Sequence, residues 1–355
     1  MADTKERLDM RQITMHNRAG KKKNRISLIA CMLVLVFLMT GCGKNSDGVI
    51  RITNVSYDPT REFYEAYNPL FEKYYEDTYG KKVEVIQSHG GSGAQARSVV
   101  EGCNADVVTL ALEHDITLIE QTGLIDKGWQ KEFDKDSAPY TSTIVFLVRK
   151  GNPKNICDWD DLIQKNVEVI TPDPKSSGGA CWNFLAALSY AKEHYTEEAQ
   201  QKEFMRKLYQ QVSVMDSGAR GSTTTFVENK KGDVLIAWEN EAIASMKSYP
   251  GEYELINPSV SILAQPSVAI VDDNANDNGT QEVSRKYLSY LYTEKAQRLA
   301  AEYGYRPSDE TILKEYGDTF DLNIRLYTIK DYGGWENAYK MYFDDGAMFD
   351  EIYDF

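Results

Sequence analysis

Three glycine- and serine-rich turns constrain this chain more than any other feature. They are Ser88-His89-Gly90-Gly91-Ser92-Gly93, Lys175-Ser176-Ser177-Gly178-Gly179-Ala180 and Asp216-Ser217-Gly218-Ala219-Arg220-Gly221-Ser222. Each lies between an apolar, β-branched run and a segment of helical character. A turn of this kind leaves backbone N–H groups bare at a helix N-terminus, where the helix dipole is positive. A fourth unit has the same layout, with Trp238 at its strand end. Together they describe a cage of neutral donors around a small oxyanion.

The order of elements supports that reading. Val49–Val55 alternates as a strand, Thr60 is placed to cap a helix over Arg61–Tyr79, and Gly80 stops it. Val83–Ile86 and Asp106–Leu110 are further strands flanking a helix over Ala94–Glu101, so the first third reads β-α-β-α-β. The unit recurs with strands Val167–Thr171, Val212–Met215 and Asp233–Ala237. Helices over Cys181–Glu193, Thr223–Asn229 and Glu241–Tyr249 follow them. Tyr140–Val148 and Ser261–Val271, the latter broken by Pro266, read as crossovers between two lobes. Ser284–Glu302 carries one amphipathic stripe and is expected to be a single helix. In open parallel sheets a ligand binds outside the carboxyl ends of the strands, where all four turns fall. Two lobes joined by crossovers close on it about a hinge.

The N-terminal segment reads as targeting. Lys21-Lys22-Lys23-Asn24-Arg25 flanks an apolar run, Ile26–Thr40, too short for an ordinary span. Leu38-Met39-Thr40-Gly41-Cys42 resembles a bacterial lipoprotein cleavage box. Residues 1–41 are then a signal peptide, Cys42 the lipidated residue and 42–48 a tether. Met39 departs from the usual leucine of such a box, and Met10 or Met15 are alternative starts.

Net charge is −14, and residues 1–25 carry +5, from eight Lys/Arg against three Asp/Glu. The remainder therefore carries −19, the difference of those two values. This excludes a nucleic-acid binder, which needs a basic face. It does not exclude an anion site, because amide donors make a locally positive cage inside an acidic protein. Cys103, Cys157 and Cys181 offer no disulfide framework and read as free thiols. Cys181 reads as a small helix residue, not a nucleophile. The four histidines are separated, so no zinc spacing and no cofactor are expected.

The residues resemble a known family. Asn54-Val55-Ser56-Tyr57-Asp58-Pro59-Thr60-Arg61-Glu62 is similar to the opening of the sulfate-binding proteins of bacterial sulfate/thiosulfate ABC transporters. So are the three turns, Ser137-Ala138-Pro139-Tyr140-Thr141-Ser142-Thr143 and Asp233–Glu241. The resemblance runs from about Arg51 to near the C-terminus. It implies an α/β type II periplasmic binding protein fold: two lobes with parallel-rich sheets, a hinge, and a ligand in the cleft. Lobe 1 is expected from 49–141 plus 263–355, and lobe 2 from 142–262.

The resemblance also implies sulfate, or thiosulfate, held without a cation in contact and passed to ABC permease subunits. Its donors are Ser92 (N–H and hydroxyl), Ser177 (hydroxyl), Gly178 and Gly179 (N–H), Ala219 (N–H) and Trp238 (indole N–H). Asp58 and Arg220 are expected behind them, orienting loops and pairing with each other, with Gly91 and Gly93 shaping the turn. A donor-only cage rejects hydrogen phosphate, whose proton needs an acceptor, at about 1–3 kcal/mol. An aspartate among Asp58, Asp173 and Asp216 turned inward would reverse that preference. His89 is expected only to shape its turn through a hydrogen bond. Molybdate, tungstate or phosphate on the same fold, or an anion sensor, are the alternatives. The turns do not match G-x-x-x-x-G-K-[ST], and no catalytic triad order stands out, so catalysis is not expected.

Overall fold

The computed structural model describes residues 48–353. The segment read as a signal peptide and Cys42 lie outside the described residues. Ile50–Phe355 forms the unit considered below.

The first sheet runs in the order β9-β3-β1-β2, from Ser267–Ile270 (β9), Val107–Leu110 (β3), Val49–Tyr57 (β1) and Lys82–Gly90 (β2). β1 and β3 are parallel, Asn54 facing Val107, and β9 is antiparallel to β3. All four residues of β3 are buried, as expected for a strand covered on both faces. Helix α1 (Arg61–Tyr79) spans the expected residues and ends at Gly80, whose φ of 67° suits glycine. Its buried Phe63, Tyr67 and Phe71 recur every four residues and pack on Tyr287 and Tyr140. Each such ring contributes roughly 1.5–3 kcal/mol by burial. Thr60 does not cap α1. Its hydroxyl donates to the Tyr57 carbonyl at 2.6 Å instead, tightening the turn before the helix. Helices α2 (Ser92–Val100) and α3 (Glu113–Glu120) follow β2 and β3.

The second sheet has the order β6-β5-β7-β4-β8. Its strands are Val212–Asp216 (β6), Val169–Pro172 (β5), Val234–Trp238 (β7), Ile144–Arg149 (β4) and Tyr253–Ile256 (β8). β5 is parallel to β6 and β7, whereas β4 is antiparallel to β7 and β8. α4 (Gly178–His194) follows β5 and is buried on every side from Gly178 to Ala191. A helix apolar all round needs cover on all faces. α5 (Glu198–Gln210) and the C-terminal α11 (Trp335–Tyr342) and α12 (Met348–Tyr353) supply it. Phe184 meets Tyr342, Phe343 and Phe349, and Trp182 meets Trp335 edge-on. The C-terminal residues, expected with the first lobe, therefore pack on the core of the second. α6 (Ala219–Val227) and α7 (Glu239–Ser248) follow β6 and β7.

The crossovers run side by side. Ser142 and Ala264 exchange backbone hydrogen bonds of 2.9 Å, and the Thr143 hydroxyl donates to Ser261 Oγ at 2.9 Å. Beyond β9 comes α8 (Asp272–Asn278), and the single helix expected over Ser284–Glu302 is two, α9 (Gln281–Tyr290) and α10 (Glu294–Glu302). The break falls at Leu291–Thr293, where the Thr293 hydroxyl accepts from Ala296 N–H and starts α10. No helix among the described residues is long and apolar enough to cross a membrane.

Candidate oxyanion site

Three helices start at one point. Gly91, Ser177 and Gly218 are the N-caps of α2, α4 and α6. Ser92, Gly178 and Ala219 are therefore first helical residues, whose N–H groups have no partner within the helix. A cavity of about 10 Å³ lies between them, lined by Tyr57, Asp58, Pro59, Gly90, Gly91, Ser92, Ser177, Gly179 and Ala219. Neither Lys, Arg nor His is among these lining residues. Of the expected donors, Ser92, Ser177, Gly179 and Ala219 line it directly.

Glycine is required where the lobes meet. A Cβ on Gly178 would lie 2.9 Å from Leu112 Cγ and 3.1 Å from Ser92 Cβ. A Cβ on Gly179 would lie 2.9 Å from Trp238 Nε1, 3.4 Å from Ala219 Cβ and 3.5 Å from Ser177 Oγ. The space before Gly179 is thus a point that an indole N–H and a hydroxyl both reach. Trp238 is itself buried behind the lining, its ring 5.4 Å from that of Tyr57. Its N–H now makes only a long bond, 3.3 Å, to the Gly179 carbonyl. Ser177 Oγ accepts from Ala180 N–H at 3.4 Å, which leaves the hydroxyl hydrogen to donate.

The Ser92 hydroxyl is committed elsewhere. It donates to Asp115 Oδ2 of α3 and accepts from Ala111 N–H at 3.0 Å. Its backbone N–H is the donor it shows to the cavity in this state.

The charged neighbours differ from expectation. Asp58 lines the cavity rather than standing behind it. Its Oδ1 lies 3.4 Å from Arg61, and it does not pair with Arg220. Arg220 Nη2 meets Glu62 Oε2 at 2.6 Å and Glu241 Oε1 at 3.2 Å, spanning from α6 to α1 and α7. Burial works to raise the Glu62 pKa, but the Arg220 hydrogen bond and charge outweigh it and hold the carboxyl below its usual range. Glu241 is held above that range by full burial, which Arg220 and Thr223 only partly offset. Asp173 Oδ1 accepts from Lys175 N–H at 2.8 Å. Asp216 accepts from Ser222 and Thr225 hydroxyls at 3.2 and 3.1 Å. Neither aspartate reaches the lining. Lys175 leaves the loop for the C-terminal segment, donating to the Phe343 carbonyl and Asp350 at 2.9 Å each.

His89 is not in the lining. Both ring nitrogens are buried without a well-formed hydrogen bond, the Tyr57 backbone offering only a weak one, so the expected turn-shaping bond is not made. Burial, with Arg61 nearby, lowers its pKa to about 4, and the ring is neutral. Gly93 packs outside the cavity, facing Arg97 and Asp115. Cys103, Cys157 and Cys181 are free, Cys181 buried with its thiol pKa pushed well up by burial.

The sequence reading missed Asp115, Glu62, Glu241 and the buried pair Glu239–Arg306. In that pair Nε and Nη2 of Arg306 reach the two carboxylate oxygens at 2.6 and 2.8 Å. Glu239 directly follows Trp238, so Arg306 fixes the strand end that carries the indole.

Larger depressions lie elsewhere, one of about 470 Å³ between α3 and α11 and one of about 490 Å³ beside Lys154 and Lys230. Glu113 and Trp335, the first residues of α3 and α11, line the former, and charged side chains dominate the latter; neither gathers the glycine- and serine-rich turns. Among the described residues no group of three or more His, Cys, Asp and Glu could hold a metal.

Residues 52–306 match the family model described as bacterial extracellular solute-binding protein. The sulfate-binding protein of Escherichia coli (strain K12) is 53% identical over 306 residues, 85% of this chain and 93% of that protein. The thiosulfate-binding protein of Pseudomonas aeruginosa is 42% identical over 304 residues, covering 85% and 92%. Among solved structures, the sulfate-binding protein SubI of Mycobacterium tuberculosis H37Rv is similar, with a TM-score of 0.76 and 34% identity. That match covers 83% of this chain and all of that one.

Proposed function

The chain belongs to the bacterial extracellular solute-binding proteins, and within that family we propose that it captures sulfate in a cage made of neutral donors. The convergence of Ser92, Ser177, Gly179 and Ala219 on one small cavity without a lining cation carries this reading. Burying a dianion is costly unless every oxygen is satisfied. Charge-assisted hydrogen bonds, each roughly 1.5–3 kcal/mol, and the helix dipoles offset that cost. The donors are the N–H groups of Ser92, Gly178, Gly179 and Ala219, the Ser177 hydroxyl and the Trp238 indole N–H, which turns from Gly179 O to the anion.

Sulfate at neutral pH only accepts, and this cage mainly donates. Hydrogen phosphate would need Asp58 to turn its carboxylate inward. That carboxylate now sits by Arg61, and its Oδ2 is 3.7 Å from where a Cβ on Gly218 would be. Thiosulfate, bound by relatives of this chain according to their names, fits the same donors. We place the protein outside the cytoplasm, anchored through lipid on Cys42 and delivering its anion to an ABC permease, as a carrier and not an enzyme. Lobe 1 begins at 49 and the chain crosses to lobe 2 near 142, returning near 263.

A thermal-shift series tests the ligand. A ligand that binds only the folded state raises Tm in proportion to the logarithm of its excess over Kd. Millimolar sulfate should raise Tm by several degrees and equal phosphate should not. A larger shift with phosphate would overturn the assignment.

A further inference from the structure

We propose that Lys175 is a positioning residue for the anion, holding the second glycine- and serine-rich turn in place from the C-terminal segment. The inference rests on the oxyanion reading of the cavity, which Ser177 and Gly179 of that turn line.

Lys175 stands two residues before Ser177, the N-cap of α4. Local bonds draw the turn together. Ser176 and Ser177 N–H donate to the Asp173 carbonyl at 3.1 and 2.9 Å, and Lys175 N–H donates to Asp173 Oδ1 at 2.8 Å. The Ser176 hydroxyl reaches the Ser217 carbonyl at 3.0 Å, but that partner belongs to the third turn. The Lys175 ammonium supplies a point of attachment outside the turns. It is not in the cavity lining. It donates instead to the carbonyls of Phe343 at 2.9 Å and Asp344 at 3.1 Å, and to Asp350 Oδ2 at 2.9 Å. Three N–H donors thus meet three acceptors.

Those acceptors are organised in turn. Phe343 is the C-cap of α11, where carbonyls lack helical partners and the dipole is negative. Asp350 of α12 also accepts from Gly346 N–H at 2.7 Å. The Lys175 hydrogen bond holds the Asp350 carboxyl below its usual range, so it is ionised at neutral pH. The whole segment is fastened on two sides. Phe343 and Phe349 pack on Phe184 of α4, and Tyr339 stacks on His114 of α3 with ring centroids 3.8 Å apart. A bare surface ion pair contributes little, but this ammonium is shared with two carbonyls on a packed segment. Hydrogen bonds to an anion weaken steeply as their angle falls, and a turn that must be ordered on binding costs affinity.

A cation can also favour an anion by its field alone, and the two roles differ in sign at Asp350. If Lys175 acts by charge, Asp350 opposes it, and Asp350→Asn tightens sulfate binding. If Lys175 acts by position, Asp350→Asn loosens the ammonium and weakens sulfate binding.

The test is calorimetric titration of the full chain with sulfate for wild type, Lys175→Met, Asp350→Asn and the double variant. Lys175→Met should bind about tenfold more weakly, the equivalent of one hydrogen bond. Asp350→Asn should also bind more weakly, and the double variant no more weakly than Lys175→Met, because both act through one contact. Asp350→Asn, nearly isosteric and at a half-exposed site, keeps the test open should Lys175→Met fail to fold. Sulfate binding in Asp350→Asn as tight as wild type or tighter overturns the proposal, as do losses that add in the double variant. Absence of sulfate heat in the wild type overturns the oxyanion reading itself, and the positioning role with it.

Discussion

Arg220 Nη2 lies 2.6 Å from Glu62 Oε2, and this ion pair joins α6 to α1. The same nitrogen holds Glu241 at 3.2 Å. Ala219, the residue before Arg220, lines the cavity, so one guanidinium ties that turn to α1 and α7.

Replacing Arg220 with Ala should weaken sulfate binding about tenfold and lower stability by roughly 1–2 kcal/mol. Glu62 is 45% exposed, and its share is small. Glu241, only 4% exposed, is left without its counter-charge and dominates the loss. Calorimetry and thermal melting on one preparation check both. Binding unchanged within error would remove the proposed role of Arg220.

Gly179→Ala should abolish measurable sulfate binding. The new methyl would stand 2.9 Å from Trp238 Nε1, in the space assigned to the anion. Trp238→Phe keeps the ring packing but loses the donor, and a charge-assisted bond of about 1.5–3 kcal/mol corresponds to roughly a 10- to 100-fold weaker Kd. Equal affinity in Trp238→Phe would show that the indole never turns from the Gly179 carbonyl.

Arg306→Ala should destabilise more than Arg220→Ala does. Both side chains of the Arg306–Glu239 pair are almost wholly buried, and removing one partner from such a pair costs about 3–5 kcal/mol. Urea denaturation monitored by tryptophan fluorescence is the check. A loss near that of an exposed pair would mean that water reaches Glu239.

His89 should make the folded chain acid-labile. Its pKa is lowered in the fold to about 4, so between about 6.5 and 4 the unfolded chain binds the extra proton. Its contribution is present above pH 6.5 and is lost as pH falls through that window. Melting curves of wild type and His89→Asn should converge near pH 4 if the variant is the less stable at pH 7. Parallel curves would show that His89 is solvated.

The three turns were legible because their chemistry is local: apolar strand, glycine and serine, helix. So were the crossovers, where Pro266 breaks a β run. What was not legible depends on distant partners. Glu62 is 158 positions from Arg220, and nothing near Arg220 in the chain distinguishes Glu62 from Asp58. Asp115 follows Glu113 and His114 and reads as a solvated helix face; only packing against α2 and α4 buries it. The stripe over Ser284–Glu302 continues through the break because both α9 and α10 face the same core, and the capping threonine alone marks the interruption. The aromatic C-terminus carries no local sign of the sheet it covers.

Calorimetric titration of the full chain at pH 7 with sulfate, thiosulfate, phosphate and molybdate tests the donor cage most directly. The account predicts tight one-to-one binding of sulfate and no heat with phosphate. Phosphate binding more tightly than sulfate would show that a carboxylate, Asp58 foremost, accepts a proton from the ligand inside the cavity, and would contradict it.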